Sequence, residues 1–414
     1  MVTASSHFLI LTTTILCAMK KTALFLLSLV TCMACAWAQD FTSMDTLKFT
    51  NALQFKMVNK AFYNGETPYS RIPAYLKDSV RTTLYERAQC TAGEAIRFST
   101  NSRCVAVRYN LTTNMYMAHM APTGIKGVDL YILDDGKWVF LNCNRPVRDF
   151  SNPHRVPPLK DSIQSKVLID KMDGETHEFM MYLPLYDGVN WVEIGVEKGA
   201  VLEGPKVDNP RCDKKFVFYG TSIMQGGCAT RPGMAGTNII QRALNANCVN
   251  IGISGEGKMD YCMARALATI PDVTAFIIDP VPNCTREMCD TLTVGFVDIL
   301  RRAHPDVPIF MVEGPIYSYA NYSSYYSKYL WQKNYAFHAG FLKLKAENPH
   351  NLYYIDCENL WGPDNEGTVD GIHLTDVGFY WYAQKLEPYL RAILDHTPVP
   401  FQEKANRPYP ERMK

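Results

Sequence analysis

The chain has 414 residues, of which 47% are hydrophobic and 20% are charged, and its formal net charge is +1 at pH 7. This composition excludes a disordered or fibrous protein, and the length is sufficient for two or three hydrophobic cores. The near-zero charge and the lack of a dense Lys/Arg segment argue against nucleic acid or another polyanion as a partner and favour a small-molecule substrate.

The N-terminal segment is typical of an export signal. Met19-Lys20-Lys21 is followed by ALFLLSLVTCMACAWAQ, with a small-x-small cleavage site ending at Ala38. We predict a signal peptide over residues 1–38 with its start at Met19, and a secreted or periplasmic mature protein. Lipoprotein anchoring at Cys32 is a weaker alternative. No other segment has the length of a membrane span, so no stable span is expected after cleavage.

Residues 39–204 alternate apolar and polar side chains with a period of two, which predicts strands. Such segments cover 105–111, 128–141 and 178–197, and Asp135-Gly136 predicts a hairpin turn. We expect an all-β sandwich here. A Pro-rich and charged linker is predicted at 205–214.

The pattern changes in residues 215–395. Five short β-rich segments, KFVFYG, ANCVNIGI, AFIIDPV, PIFMVEGP and LYYIDCE, are separated by stretches long enough for helices. This alternation predicts an α/β domain with a parallel sheet covered on both faces, whose ligands bind at the carboxyl ends of the strands. A last helix is expected after an N-cap at Thr375 or Asp376, followed by a tail at 396–414.

Ser222 follows the first of these strands, on the Gly-flanked turn GTSIMQGG. It is either a helix N-cap or a nucleophile, and a lone serine at such a place is usually a cap. Other polar groups are predicted at the same edge of the sheet. They are Gly255 after the second strand, Asn283 after the third, and Asp370 with His373 before the last helix.

These positions resemble the four blocks of the SGNH (GDSL-like) hydrolase family. The blocks correspond to Gly220-Thr221-Ser222-Ile223, Ser254-Gly255, Pro282-Asn283 and Asp370-Gly-Ile-His373. Thr221, Val281 and Cys284 depart from the family pattern but remove no group that the chemistry requires. Gly127-Val-Asp-Leu-Tyr131 is similar to the GxDLY motif of the β-domain that precedes such hydrolases in exported bacterial esterases. The resemblance implies a three-layer, flavodoxin-like domain after a jelly-roll-like sandwich.

The resemblance also implies a role for each residue. Ser222 would be the nucleophile, His373 its general base, and Asp370 the carboxylate that orients the imidazole. The oxyanion would be bound by the backbone N–H groups of Ser222 and Gly255 and by the side-chain amide of Asn283.

The residues and the family resemblance together imply an exported serine esterase that removes small acyl groups, in particular acetyl, through an acyl-enzyme. Carbohydrate as the acylated substrate is implied by the resemblance and the export signal. An acyltransferase using the same acyl-enzyme and a non-catalytic carbohydrate-binding protein are the alternatives. No cofactor is expected, because the chain lacks HExxH, paired CxxC and GxGxxG motifs. The partner would be a small-molecule or glycan ester, and the oligomeric state is left open.

Several other residues have two interpretations. Met115, Met117 and His119 alternate, which suits a Met-lined strand face better than a copper site. Tyr317 and Tyr319 follow the fourth strand and either pack in the core or stack on a sugar ring. The later tyrosines up to Tyr329 are expected to pack in the core. Arg231 is a binding group or a surface ion pair, Asp279 is predicted to be structural, and Glu313 is a secondary site candidate.

The cysteines left after signal removal are predicted to be mostly buried small hydrophobes. Cys284 and Cys289 are close in sequence but lack a zinc-binding pattern.

Overall fold

A computed structural model describes residues 42–113, 115–146 and 162–400. The predicted signal peptide, the lipoprotein alternative at Cys32 and the end of the predicted tail lie outside the described residues. Within them, no helix is both long and apolar enough to cross a membrane.

The first half of the chain forms two antiparallel sheets. Their strands are β1 (Leu47–Asn51), β2 (Lys56–Val58), β3 (Ala95–Thr100), β4 (Val105–Leu111), β5 (Asp129–Asp134), β6 (Lys137–Cys143), β7 (Ile163–Ile169), β8 (His177–Tyr182), β9 (Val189–Glu197) and β10 (Leu202–Glu203). One sheet has the order β1-β9-β4-β7, and the other has the order β10-β3-β8-β5-β6 with β2 paired to β3. The short helices α1 (Thr82–Arg87) and α2 (Pro122–Lys126) lie in the connections.

The two sheets pack face to face, as the period-two pattern predicts. Phe98 and Phe179 from one sheet share a core with Val107 and Ile194 from the other. The hairpin between β5 and β6 turns at Asp135 and Gly136, whose φ angles of 44° and 72° fit the left-handed turn that the Asp-Gly pair predicts. The predicted β-sandwich is thus confirmed.

The second half of the chain forms a five-stranded sheet in which every neighbouring pair is parallel. Its strands are β11 (Arg211–Gly220), β12 (Ala246–Gly252), β13 (Ala275–Asp279), β14 (Ile309–Val312) and β15 (Leu352–Ile355), in the order β12-β11-β13-β14-β15. The helices are α3 (Ser222–Gln225), α4 (Gly236–Leu244), α5 (Tyr261–Leu267), α6 (Arg286–Ala303), α7 (Ser324–Glu347) and α8 (Asp376–Leu394). Strand β11 begins at Arg211, inside the segment predicted as a linker.

Both faces of this sheet are buried, which explains why its strands are almost wholly apolar. In β11, Phe216 and Phe218 face the layer that contains α4 and α8, whereas Val217 and Tyr219 face the layer of α5, α6 and α7. This is the three-layer arrangement expected for a parallel sheet, and it confirms the predicted fold class.

Residues of the first half cover the edge strand β12 of this sheet. The buried guanidinium of Arg71 donates to Asn250 O at 3.1 Å and to Gly252 O at 2.6 Å. The Asn59 side chain accepts a hydrogen bond from Cys248 N at 3.0 Å. These bonds occupy an edge that would otherwise be open to pairing with another chain, and both halves belong to one compact unit.

Two side-chain predictions can be compared with the structure. All ten cysteines of the described residues are free, and seven of them are buried, as predicted. The tyrosines near the start of α7 do not pack in the core: Tyr322 is 94% exposed and Tyr325 is 72% exposed. The core expectation was wrong for them because α7 places Leu330 and Phe337, rather than these rings, against the sheet.

Candidate active site

Ser222 lies at the start of α3, directly beyond the carboxyl end of β11. The N-cap of this helix is Thr221, whose hydroxyl accepts a hydrogen bond from Ile223 N at 3.3 Å. The Ser222 hydroxyl lies instead 3.0 Å from Nε2 of His373. Capping is therefore performed by Thr221, and Ser222 faces an imidazole.

The turn that carries Ser222 is closely packed against backbone from the neighbouring loop. A β carbon at Gly257 would lie 2.1 Å from Gly220 O, so only glycine fits there. On the other side, the Tyr186 hydroxyl donates to Ser222 O at 3.2 Å and Gln225 Nε2 donates to Leu185 O at 3.0 Å. The turn that carries Ser222 is thus held partly by residues of the β-sandwich half.

His373 and Asp370 share one short loop before α8. Asp370 Oδ1 accepts hydrogen bonds from the backbone N–H groups of Ile372 at 3.0 Å and His373 at 2.8 Å. Its Oδ2 lies 2.7 Å from Nδ1 of His373. Partial burial raises the pKa of Asp370, but the hydrogen bonds from His373 and Ile372 outweigh it, so the net pKa is lowered. The carboxylate is thus ionised and fixed on the imidazole.

The structure brings Ser222, His373 and Asp370 into one continuous hydrogen-bonded chain. It joins side chains that are 151 positions apart in sequence. An imidazole held between a carboxylate and a serine hydroxyl can remove the hydroxyl proton and deliver it to a leaving group.

The two other predicted site residues lie on the loops that follow the neighbours of β11. Gly255 follows β12 and has a φ of 72°, a left-handed conformation that favours glycine. Asn283 follows β13, and its Oδ1 accepts a hydrogen bond from Gly257 N at 3.3 Å. Since the oxygen is used in this way, the NH₂ end of the amide is the donor that Asn283 can offer a ligand.

Arg231 forms a largely buried ion pair with Asp129 rather than a surface one. Its guanidinium lies 2.8 Å from Asp129 Oδ2 and donates to the Tyr131 hydroxyl at 2.6 Å. Gly233 N also donates to Asp129 Oδ2, at 2.8 Å. The aspartate and tyrosine of the GxDLY motif therefore bind the loop that follows Ser222, which gives this motif a structural role.

Asp279 and Glu313 are both buried at the strand ends. Asp279 accepts a hydrogen bond from the Tyr382 hydroxyl at 2.8 Å, consistent with the structural role predicted for it. Burial raises the pKa of Asp279 to about 7, against the effect of Tyr382. Glu313 accepts from Cys357 N at 2.9 Å and from the Tyr354 hydroxyl at 3.3 Å, so it braces the end of β15.

Two residues near His373 were not identified as site residues from the sequence. The His119 ring lies 5.3 Å from the His373 ring, measured between centroids, and Cys228 offers its sulfur to the same cluster. Burial and the charge of Asp370 raise the pKa of the Cys228 thiol to about 12, so it does not compete as a nucleophile. The Met-His alternation was a signal for His119, but its partners come from distant segments.

Aromatic side chains flank the loop of His373. The Tyr319 ring lies over the turn at Gly371, where an added β carbon would be 3.3 Å from the ring. Tyr319 contacts Tyr317 and Tyr326, with ring centroids 5.5 and 5.0 Å apart, and Tyr317 stacks on Trp361 at 5.6 Å. Tyr317 is buried and belongs to the core, whereas Tyr319 is half-buried and Tyr326 is exposed.

Two family models match the chain. Residues 213–391 match the GDSL-like lipase/acylhydrolase family, and residues 47–202 match the N-terminal GxDLY domain of SGNH hydrolase-type esterases. A search of curated proteins found no match.

Solved structures resemble the whole two-part arrangement. A protein from Bacteroides ovatus assigned as a GDSL-like lipase is 34% identical, with a TM-score of 0.77, covering 84% of this chain and 98% of its own. A salicylyl-acyltransferase from a tetracycline biosynthetic pathway is 17% identical, with a TM-score of 0.64 over 86% of this chain and 99% of its own. A family two carbohydrate esterase from Cellvibrio japonicus is 14% identical, with a TM-score of 0.51, covering 84% of this chain and 98% of its own. The last two share the fold, and the identity and coverage of the first show that this chain belongs to the GDSL-like lipase/acylhydrolase family of SGNH hydrolases.

Proposed function

We propose that the chain is an exported serine esterase that removes small acyl groups, in particular acetyl, from carbohydrate. The observation that carries the proposal is the path from Ser222 Oγ to His373 Nε2, at 3.0 Å, and from His373 Nδ1 to Asp370 Oδ2, at 2.7 Å. A serine hydroxyl is a weak nucleophile until a base removes its proton, and this path supplies the base and its orienting carboxylate.

The reaction would proceed in two halves. His373 Nε2 takes the Ser222 proton as the oxygen attacks the acyl carbon, and Asp370 stabilises the imidazolium that forms. The oxyanion is bound by the N–H groups of Ser222 and Gly255 and by the amide of Asn283. His373 then protonates the departing alcohol. In the second half a water attacks the acyl-enzyme by the same proton path and regenerates Ser222.

Carbohydrate is the proposed alcohol because aromatic rings border the catalytic loop. Tyr319 lies over Gly371 and contacts the exposed Tyr326, which in turn contacts the exposed Tyr325. Tyrosine rings present apolar faces that suit the C–H faces of a sugar and hydroxyls that suit its polar groups. The fold also occurs in an acetyl xylan esterase from Butyrivibrio proteoclasticus, which is 12% identical with a TM-score of 0.50.

The test measures acetate released from acetylated xylan and, separately, turnover of p-nitrophenyl acetate. Ser222→Ala should abolish both activities, and the control Ser79→Ala, at an exposed serine, should abolish neither. Tyr319→Ala should raise KM for the acetylated glycan at least tenfold and leave p-nitrophenyl acetate turnover within twofold. The control Tyr75→Ala replaces a tyrosine that is 58% exposed, and it should change neither quantity. Equal effects of Tyr319→Ala on both substrates would refute the carbohydrate assignment.

An acyltransferase with the same acyl-enzyme would give a different product ratio. The salicylyl-acyltransferase that shares the fold makes this alternative concrete. With a sugar alcohol present at millimolar concentration, hydrolysis predicts free acetate as the main product. Dominant transfer to the added alcohol would replace the esterase proposal by the transferase.

A further inference from the structure

Three metal-ligating side chains meet beside the candidate nucleophile. His119, Cys228 and His373 each offer one ligand atom, and these atoms lie within 4.8 Å of one another. His119 comes from the loop between β4 and α2, Cys228 from the loop after α3, and His373 from the loop before α8. Among the residues that the structure describes, these three form the group of His, Cys, Asp or Glu side chains whose ligand atoms lie close enough together to hold a metal ion.

The donor set selects a particular class of cation. Two imidazoles and one thiolate are ligands of Zn²⁺ and of other thiophilic divalent ions, whereas Mg²⁺ and Ca²⁺ require oxygen. Around a tetrahedral Zn²⁺ with its usual bond lengths, neighbouring N and S ligands would be about 3.3 to 3.6 Å apart. The three ligand atoms, which lie within 4.8 Å of one another, would have to come only slightly closer together. Rotation of the exposed His119 side chain can provide this movement.

The backbone holds Cys228 in a conformation that needs an explanation. Its φ is 75°, in the left-handed region that a residue with a β carbon rarely adopts, and the residue is 5% exposed. Gly226 and Gly227 precede it, so the loop places a cysteine where a third glycine would be relaxed. Such strain is found where a side chain has to be aimed at a site.

Occupation of this cluster would stop the reaction. Both ring nitrogens of His373 are already in use, Nε2 towards Ser222 and Nδ1 towards Asp370. A cation bound to either nitrogen breaks the triad, because the imidazole can no longer receive the serine proton in the required orientation. Bound metal and acyl transfer therefore exclude each other.

We propose that His119, Cys228 and His373 form an inhibitory site for a thiophilic divalent cation of the Zn²⁺ class. The Cys228 thiol releases its proton to solvent on binding, and a water completes the coordination. The inhibitory effect rests on the proposed function, since it acts on the same imidazole. His119 belongs to the β-sandwich half, so this half would contribute a residue to the control of the site.

The experiment titrates the full chain with Zn²⁺ and follows p-nitrophenyl acetate turnover. Micromolar Zn²⁺ should inhibit the wild type, EDTA should restore it, and Mg²⁺ should have no effect. His119→Ala and Cys228→Ser should keep their metal-free activity and require at least tenfold more Zn²⁺. The matched controls His350→Ala and Cys212→Ser, at an exposed histidine and an exposed cysteine, should remain as sensitive as the wild type.

A binding measurement separates this proposal from the proposed function. Calorimetry on the Ser222→Ala protein should find one Zn²⁺ site per chain, and adding His119→Ala should weaken it at least tenfold. Co²⁺ should give a thiolate-to-metal absorption band that is absent from Cys228→Ser. If Zn²⁺ binds equally well without His119 and without Cys228, or does not bind, the site is refuted whatever the esterase assays show. If it binds as predicted while Ser222→Ala retains turnover, the proposed function fails and the metal site stands.

Discussion

The ion pair between Arg231 and Asp129 offers a direct test of how the two halves of the chain are joined. Asp129 is fully buried and Arg231 is 21% exposed at the side chain. Burial raises the pKa of Asp129, and Arg231 is the largest of the effects that oppose the rise. Arg231→Met would remove the cation, keep a long side chain, and leave a buried carboxylate without its charge partner.

The expected loss follows from the burial of that carboxylate. Removing one partner of a buried ion pair costs about 3 to 5 kcal/mol, because the remaining charge is uncompensated. Without Arg231 the folded-state pKa of Asp129 rises further above its unfolded value of about 3.9. A carboxyl group with a raised folded-state pKa loses stability as the pH rises from the unfolded pKa to the folded one. The loss in the free energy of unfolding should therefore be larger at pH 8 than at pH 5.

Urea unfolding followed by tryptophan fluorescence, at both pH values, measures this loss. Arg231→Met combined with Asp129→Asn should recover most of the stability, since no charge is then buried. The control is Arg302→Met, at an exposed pair 3.9 Å from Asp298, which should cost less than about 1 kcal/mol. A cost of Arg231→Met no larger than that of this control, or a double variant as unstable as the single one, would show that the buried charge of Asp129 is not the source of the loss.

Three further predictions concern the site and its surroundings. Asp370→Asn should lower kcat by about 10³ to 10⁴, because an amide NH₂ facing Nδ1 favours the wrong imidazole tautomer. The loss should be smaller than that of His373→Ala. Steady-state kinetics at pH 7 would check this, and a loss below tenfold would contradict it. Asn283→Ala should lower kcat by about 10² to 10³ with little change in KM, since its amide would donate to the oxyanion mainly in the transition state. The same kinetic assay measures this, and a change confined to KM would refute the oxyanion role of Asn283. Burial raises the pKa of Asp279 from 3.8 to about 7, so this group alone should lower the free energy of unfolding by about 3 kcal/mol between pH 4 and pH 7. In urea unfolding, Asp279→Asn should remove that contribution, and an unchanged pH slope would show that Asp279 is not its source.

The sequence was sufficient to predict the fold class because the two halves have different periodicities. Strand β4 has the bounds predicted for it, Val105–Leu111, since alternation and β-branched side chains agree there. The linker was less predictable, because the start of β11 is polar in sequence although Arg211 and Lys215 already pair with β12. Polar strand ends resemble loops until their hydrogen-bond partners are known.

The site could be predicted where one loop or one strand end determines it. Asp370 and His373 are three residues apart, so a single loop had to place both. The partner of Arg231 and the meeting of His119 with Cys228 depend on contacts between the two halves, which local patterns do not encode. The exposed tyrosines of α7 show the same limit, because helical spacing identifies one face of a helix and does not show which face meets the core.

The most direct test of the central claim is labelling with a fluorophosphonate probe, read by intact mass and by peptide mapping. If Ser222 is the nucleophile, one probe should label each chain, on the peptide that contains Ser222. Ser222→Ala protein whose circular dichroism matches the wild type should show no labelling and no turnover. Labelling at another residue, or a folded Ser222→Ala protein that hydrolyses p-nitrophenyl acetate at nearly the wild-type rate, would contradict it.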